Sequence, residues 1–183
     1  MGESDIDFND HGIGYSFIVN TGTSSVSTVT VDVSPSSNQG GLTIITGTMN
    51  GSTDGSGIQF KMLDSGGSVV NVQYRTMNSA TTGSDSSGNS SGCPMNYYSV
   101  GNSSASTSAS GERSNFMLFF INSDTRCFAY GTTHYISTSN TTHCNRYMAR
   151  TASSVQIASL QFSRWNGGNF TAEFQVHRVG ASL

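Results

Sequence analysis

Charged residues are scarce in this chain of 183 residues, where they make up 10% and give a formal net charge of −3. Lys61 is the only lysine, and the seven arginines are scattered between Arg75 and Arg178. Proteins that bind nucleic acids usually carry a basic stripe for the phosphates. The sequence has no such stripe, so it predicts no nucleic-acid partner.

Long apolar runs are also missing. No stretch approaches the roughly 20 apolar residues that a membrane-spanning helix requires, and no basic segment followed by an apolar core marks a signal peptide. No stretch of about ten residues shows the 3.6-residue period of an amphipathic helix. We therefore expect a helix-poor protein that is made in the cytoplasm and does not insert into a membrane.

Residues suited to catalysis or metal binding are few and dispersed. Glu173 and Asp32 have no acidic neighbour in sequence to form the carboxylate pair that glycoside hydrolysis needs. The four histidines show no H-x-H or H-E-x-x-H spacing. The adjacent His143 and Cys144 would point to opposite faces of a strand. We expect no enzyme activity, no catalytic residue, no metal site and no cofactor.

The three cysteines cannot all be paired within one chain. Cys93, Cys127 and Cys144 show no C-x-x-C spacing. Free cysteines tend to be buried, so we expect reduced, packed thiols. A bridge between Cys127 and Cys144 is the alternative.

Alternation of apolar and polar residues is the main structural signal. Phe170, Ala172, Phe174 and Val176 alternate with polar residues, which is the period of a strand with one buried face. This regularity and the strand spacing predict one all-β domain over residues 15–183, an antiparallel β-sandwich of about 8–10 strands. The other expected strands, separated by turns rich in Gly, Ser and Asn, are 15–19, 26–33, 42–49, 57–63, 69–77, 116–121, 126–137 and 143–150.

The end of the chain is expected to form a hairpin. Asn166, Gly167, Gly168 and Asn169 tolerate positive φ and lie between two apolar runs, which is typical of a hairpin loop. The apolar phase changes before this loop, so the preceding run needs a bulge or bend near residues 158–159.

A short acidic arm precedes the predicted domain at residues 1–14. Asp5, Ile6, Asp7 and Phe8 alternate and suggest an extended segment that docks on a neighbouring protein. A calcium loop beginning at Asp5 is disfavoured, because the sixth position requires glycine and holds Asp10.

Residues 79–111 are dominated by Ser, Thr, Gly and Asn, and we interpret them as two loops that flank one short strand. Loops carry recognition on a rigid scaffold, so Tyr97 and Tyr98 are candidate ligand contacts. Trp165 and Asn166 at the tip of the predicted hairpin are two more, because an aromatic ring beside amides suits a sugar. For Tyr97, Tyr98 and Trp165 the alternative role is packing against the sandwich.

The segment 116–121 is continuously apolar, which fits a strand buried on both faces. One sheet of a sandwich normally has a solvated face. The excess apolar face therefore predicts an oligomer, with Phe116, Leu118 and Phe120 as interface residues.

Several motifs together resemble small virion proteins of tailed phages, particularly marine ones. They are Gly-Ser-Thr-Asp-Gly with Ile-Gln-Phe-Lys-Met-Leu in 51–63, Asp-Ser-Gly-Gly-Ser-Val-Val in 64–70 with a tyrosine at 74, Gly-Glu-Arg at 111–113, Met-Leu-Phe-Phe-Ile-Asn at 117–122, residues 157–162, Gly-Gly-Asn-Phe at 167–170 and Phe-Gln-Val at 174–176. The resemblance covers most of residues 42–179. The last strand departs from it, since it ends in Val-His-Arg-Val-Gly where that family more often has a Leu-Tyr-Gly type sequence.

The resemblance implies a jelly-roll-like sandwich of the kind found in capsid decoration proteins, head fibres and tail-fibre ends. We therefore expect a non-enzymatic virion protein that decorates or cements the capsid as a homo-oligomer, with a trimer favoured and the major capsid protein as partner. The alternative is a fibre module that binds a glycan on the host surface. Only about 14 residues precede the first expected strand, and a fibre needs a shaft, so decoration is favoured.

Overall fold

The computed structural model describes residues 16–22, 24–34, 41–51, 57–78, 85–95, 114–123, 125–136, 142–165 and 167–179. Over these ranges the regular elements are strands, and no helix has the length and apolarity needed to cross a membrane. The strands are β1 Ser16–Asn20, β2 Thr28–Asp32, β3 Leu42–Gly51, β4 Ile58–Leu63, β5 Val69–Val70, β6 Val72–Asn78, β7 Asp85–Ser90, β8 Cys93–Pro94, β9 Ser114–Ile121, β10 Phe128–Ile136, β11 Thr142–Thr151, β12 Ser159–Arg164 and β13 Phe170–Val179.

Two antiparallel sheets contain these strands. The larger sheet has eight strands in the order β1-β13-β3-β9-β10-β11-β6-β7. The smaller has the order β2-β12-β4-β5, with β8 also paired to β4. This arrangement confirms the predicted all-β antiparallel sandwich.

The strand count differs from the prediction, since the described ranges alone contain thirteen strands rather than eight to ten. The predicted strand 69–77 is two strands, because the chain leaves the smaller sheet after Val70 and enters the larger sheet at Val72. A strand that alternation could not reveal is β7, whose residues are polar or glycine and which pairs with β6 at the sheet edge.

The prediction of a closing hairpin is wrong, because β12 and β13 lie in different sheets. Gly167 and Gly168, with φ of 78° and 87°, turn the chain from one sheet to the other. In the smaller sheet β12 is inserted between β2 and β4, and in the larger sheet β13 is inserted between β1 and β3. Each of the last two strands therefore pairs with strands from the N-terminal part of the chain, although β12 and β13 do not pair with each other. The predicted change of apolar phase is present, since Ile157 and Leu160, three residues apart, are both fully buried and β12 begins between them at Ser159.

Aromatic rings fill the space between the sheets. Phe162 of β12 lies 4.9 Å from Phe174 of β13 and 5.5 Å from Phe116 of β9, measured between ring centroids. All three side chains are buried. Because the two sheets pack face to face, β12 and β13 each need apolar residues on the side that faces the other sheet.

A buried amide ties the loops at one end of the sandwich. Asn122, just after β9, donates from Nδ2 to the carbonyl oxygens of Val33 (3.1 Å) and Ile157 (2.7 Å). Its Oδ1 accepts from the Ile157 amide at 3.3 Å and from the Cys127 thiol at 2.9 Å. One side chain thus joins the end of β9 to two segments that flank strands of the smaller sheet.

Candidate functional site

The three predicted interface residues of β9 lie in the core. Phe116, Leu118 and Phe120 are at most 4% exposed and face the smaller sheet. They cannot form a surface contact in the folded protein, which corrects the prediction. A period of two places their neighbours Met117 and Ile121 on the opposite side, the outer face of the larger sheet, and about two fifths of each is exposed.

Apolar side chains continue across this outer face. On β10, Tyr130 is paired with Phe119 of β9, and their rings stack at 4.8 Å with planes 8° apart. Met148 of β11 is paired with Tyr130 on the other side. We call the apolar patch the set Met117, Phe119, Ile121, Phe128, Tyr130 and Met148, five of which are 40–48% exposed while Phe119 is partly buried.

Part of the patch forms a shallow groove of about 430 Å³. It is lined by residues 73–75 of β6, 128–130 of β10 and 148–150 of β11. Its apolar side chains are those of Phe128, Tyr130 and Met148. The groove is open to solvent and runs where the outward side chains of three neighbouring strands meet.

Arginines border the groove. Arg150 is paired with Phe128 on β10 and with Gln73 on β6, and its Nε donates to Gln73 Oε1 at 2.7 Å. Arg75 of β6 is paired with Met148, and Arg146 follows on the outward phase of β11. All three are exposed. The groove therefore combines an apolar floor with a positively charged border.

Beyond β9 the outer face is mixed. Thr46 of β3 is paired with Met117 and with Gln175 of β13, so polar residues follow Met117, whereas partly buried Ile44 and Leu42 of β3 are paired with Phe119 and Ile121. At the far edge, Ile18 of β1 is 68% exposed and is paired with Gln175. It is an apolar side chain on the same face that is separate from the patch.

The other predicted contact residues are only partly described. Trp165, at the end of β12, is 43% exposed, and its backbone amide donates to the Gly57 carbonyl at 2.8 Å. Tyr97, Tyr98 and Asn166 lie outside the described residues, as does the arm with Asp5, Ile6, Asp7 and Phe8.

The two isolated acids of the sequence do not come together. Asp32 lies at the end of β2 in the smaller sheet, where Arg178 approaches its carboxylate at 3.3 Å. Partial burial acts to raise the pKa of Asp32, but hydrogen bonds from Ser34 and the charge of Arg178 outweigh it and hold that pKa below its usual value. Glu173 is exposed on β13 of the larger sheet.

Histidine and cysteine side chains meet at one place on the outer face. His134 and Cys144 are paired across β10 and β11, with 3.8 Å between Nε2 and Sγ. The adjacent His143 instead stacks on Tyr135 at 4.9 Å, so it faces the opposite side of the sheet as predicted. Within the described ranges, no three potential metal-ligating side chains come together.

The cysteines are free thiols, as predicted. Cys93 and Cys127 are buried, and burial raises the pKa of both. Cys144 is only partly buried.

The sequence did not identify Phe128, Tyr130 and Met148 as surface residues. Alternation alone would place the strand positions with the larger apolar side chains inside. At this point the inner face is already filled by Tyr147 of β11, whose hydroxyl donates to the Met117 carbonyl at 2.8 Å. A Cβ at Gly131 would lie 2.5 Å from the Tyr147 hydroxyl oxygen. The inward phase of β10 therefore needs small residues here, and the larger ones face outward.

Comparison with known proteins gives no relative. The chain matches no protein-family model, and neither a curated protein nor a solved structure shows significant similarity to it. The resemblance to phage virion proteins stays a prediction.

Proposed function

We propose that the protein is a non-enzymatic structural protein of a phage virion, and that it decorates or cements the capsid as a homo-oligomer. The observation that carries the proposal is the apolar patch on the outer face of the larger sheet. The motif resemblance supplies the phage context, and the patch supplies a surface for assembly.

The size of the patch supports an assembly role. The largest contiguous apolar patch on a monomeric soluble protein usually measures about 300–600 Å², and such patches are often functional. Covering the exposed parts of its side chains would remove on the order of 400 Å² from water, worth about 10 kcal/mol before any cost of association. Association costs about 4–15 kcal/mol. The patch can thus drive assembly when polar contacts around it add to the burial.

A closed ring forms when the patch of one copy contacts a different surface of the next copy, whereas a patch that packs against itself forms a two-fold dimer. A trimer is the form favoured by the resemblance, and each copy would then present the same surface to the capsid. The major capsid protein is the expected second partner.

The copy number in purified virions tests the decoration role. A decoration protein occupies a site that the capsid lattice repeats, so we expect hundreds of copies per particle. A few tens of copies or fewer would refute decoration and favour a tail or fibre position. Quantitative mass spectrometry against the major capsid protein gives the ratio.

A receptor-binding module at a fibre end is the second candidate, and the exposure of Trp165 favours it. An exposed indole ring is a suitable platform for a sugar ring. We would then expect Trp165→Ala to reduce adsorption of phage to host cells without loss of thermal stability. Unchanged adsorption would contradict this role for Trp165.

A further inference from the structure

We propose that the arginine-bordered groove is the docking site for residues 3–10 of a second copy of this chain. Ile6 and Phe8 would contact the groove's apolar floor, and the negative charge of residues 3–10 would be attracted to its arginines. The inference deepens the assembly role proposed above and rests on it.

The chemistry of the groove defines the kind of segment that fits. Phe128, Tyr130 and Met148 supply apolar surface, and Arg75 and Arg150 supply positive charge at its border. A ligand that satisfies both must be apolar on one side and carry carboxylates within a few ångströms of it. A purely apolar ligand would contact the floor of the groove but would not use the positive charge at its border.

Residues 3–10 have this composition, since they read Glu-Ser-Asp-Ile-Asp-Phe-Asn-Asp. In an extended segment, Ile6 and Phe8 project to the same side about 6.6–6.8 Å apart, which is also the expected spacing of Phe128 and Tyr130 along β10. A segment running along β10 therefore places its two apolar side chains in step with the two aromatic rings.

Charge also favours this occupant. Residues 3–10 contain four acids and no base, a charge of −4, so the rest of the chain carries −3 − (−4) = +1. Direct packing of two outer faces offers the arginines no comparable match. Among the side chains that the structure describes on that face, the acid is Glu173. It lies on β13, four strands from β11.

A second copy fits better than the chain's own arm. Ser16 begins β1 at the opposite edge of the sheet, five strand positions from β11, or about 24 Å. Eight residues join Phe8 to Ser16 and reach about 27 Å when fully extended. The segment would have to cross the sheet face at nearly full extension before turning along the groove. An arm from a neighbour has no such constraint.

Mixing two full-length variants tests the docking directly. The arm variant carries Ile6→Asp and Phe8→Asp, and the groove variant carries Tyr130→Asp and Met148→Asp. We expect each alone to self-associate at least tenfold more weakly than the wild type. An equimolar mixture retains one intact arm and one intact groove, so it should form a species of two chains that grows no further. Analytical ultracentrifugation measures these masses.

Two controls accompany the mixture. Ile18→Asp introduces the same charge on an exposed apolar residue of this face but outside the groove, and it should leave association unchanged. Circular dichroism checks that every variant is folded.

The role of charge is tested separately. Replacing Asp5 and Asp7 by Asn should weaken association, and the difference from wild type should shrink at 1 M salt, where charges are screened within about 3 Å.

Two results would overturn the proposal. If the arm variant associates like the wild type, the faces pack against each other directly. If both variants are folded and monomeric but their mixture stays monomeric, the arm does not bind the groove of another copy. Neither result bears on copy number in virions, so the decoration role stands or fails separately.

Discussion

Replacing Asn122 by Ala removes the buried amide that ties the end of β9 to the smaller sheet. The substitution deletes two hydrogen bonds to the carbonyls of Val33 and Ile157, one from the Ile157 amide and one from the Cys127 thiol. At about 1 kcal/mol for each amide–carbonyl bond and less for the thiol, the free energy of unfolding should fall by about 3 kcal/mol. For a domain of this size, that corresponds to a Tm lower by about 6–12 °C.

Urea and thermal unfolding followed by circular dichroism measure the loss. Asn122→Asp keeps the shape but replaces the amide donor by an oxygen facing two carbonyls, so we expect at least the same loss at neutral pH. Asn115→Ala, at an exposed position on β9, should change stability by less than about 0.5 kcal/mol. A loss below about 1 kcal/mol for Asn122→Ala would show that the amide does not tie the loops as described.

Two further predictions concern the interior. Burial raises the pKa of the Cys93 and Cys127 thiols, so they should stay protonated and unreactive at neutral pH. A thiol-specific reagent should then modify only Cys144 in the folded protein and all three after unfolding, and three rapid reactions in the folded state would contradict the burial. Gly131→Ala would bring a Cβ into steric conflict with the Met117 carbonyl oxygen, so we expect stability to fall by about 1–3 kcal/mol; an unchanged urea midpoint would refute this close packing.

The fold class was predictable because strands with one solvated face alternate strictly. In β13, Phe170, Ala172, Phe174 and Val176 are buried as the sequence indicates. The sheet to which a strand belongs was not predictable. Gly167 and Gly168 permit positive φ both in a hairpin and in a connection between sheets, and only the pairing of the whole chain distinguishes the two.

The candidate site was harder to predict than the fold. The sequence indicated an oligomer from the apolar run 116–121, and the outer face confirms that this strand has excess apolar surface. Which phase faces outward depends on Tyr147, which fills the inner face beside Gly131 and leaves Tyr130 outside. This is a contact between strands, so the pattern of a single strand does not reveal it.

Methionine oxidation in purified virions tests most directly whether the apolar patch is the assembly surface. Met117 and Met148 are more than two fifths exposed in the single chain, whereas Met49, Met62 and Met95 are fully buried and serve as internal controls. Peptide mass spectrometry after peroxide treatment measures each rate. We predict that Met117 and Met148 oxidise at least tenfold more slowly in virions than in the purified chain diluted to monomers. Equal rates in the two states, or absence of the chain from virions, would contradict the account.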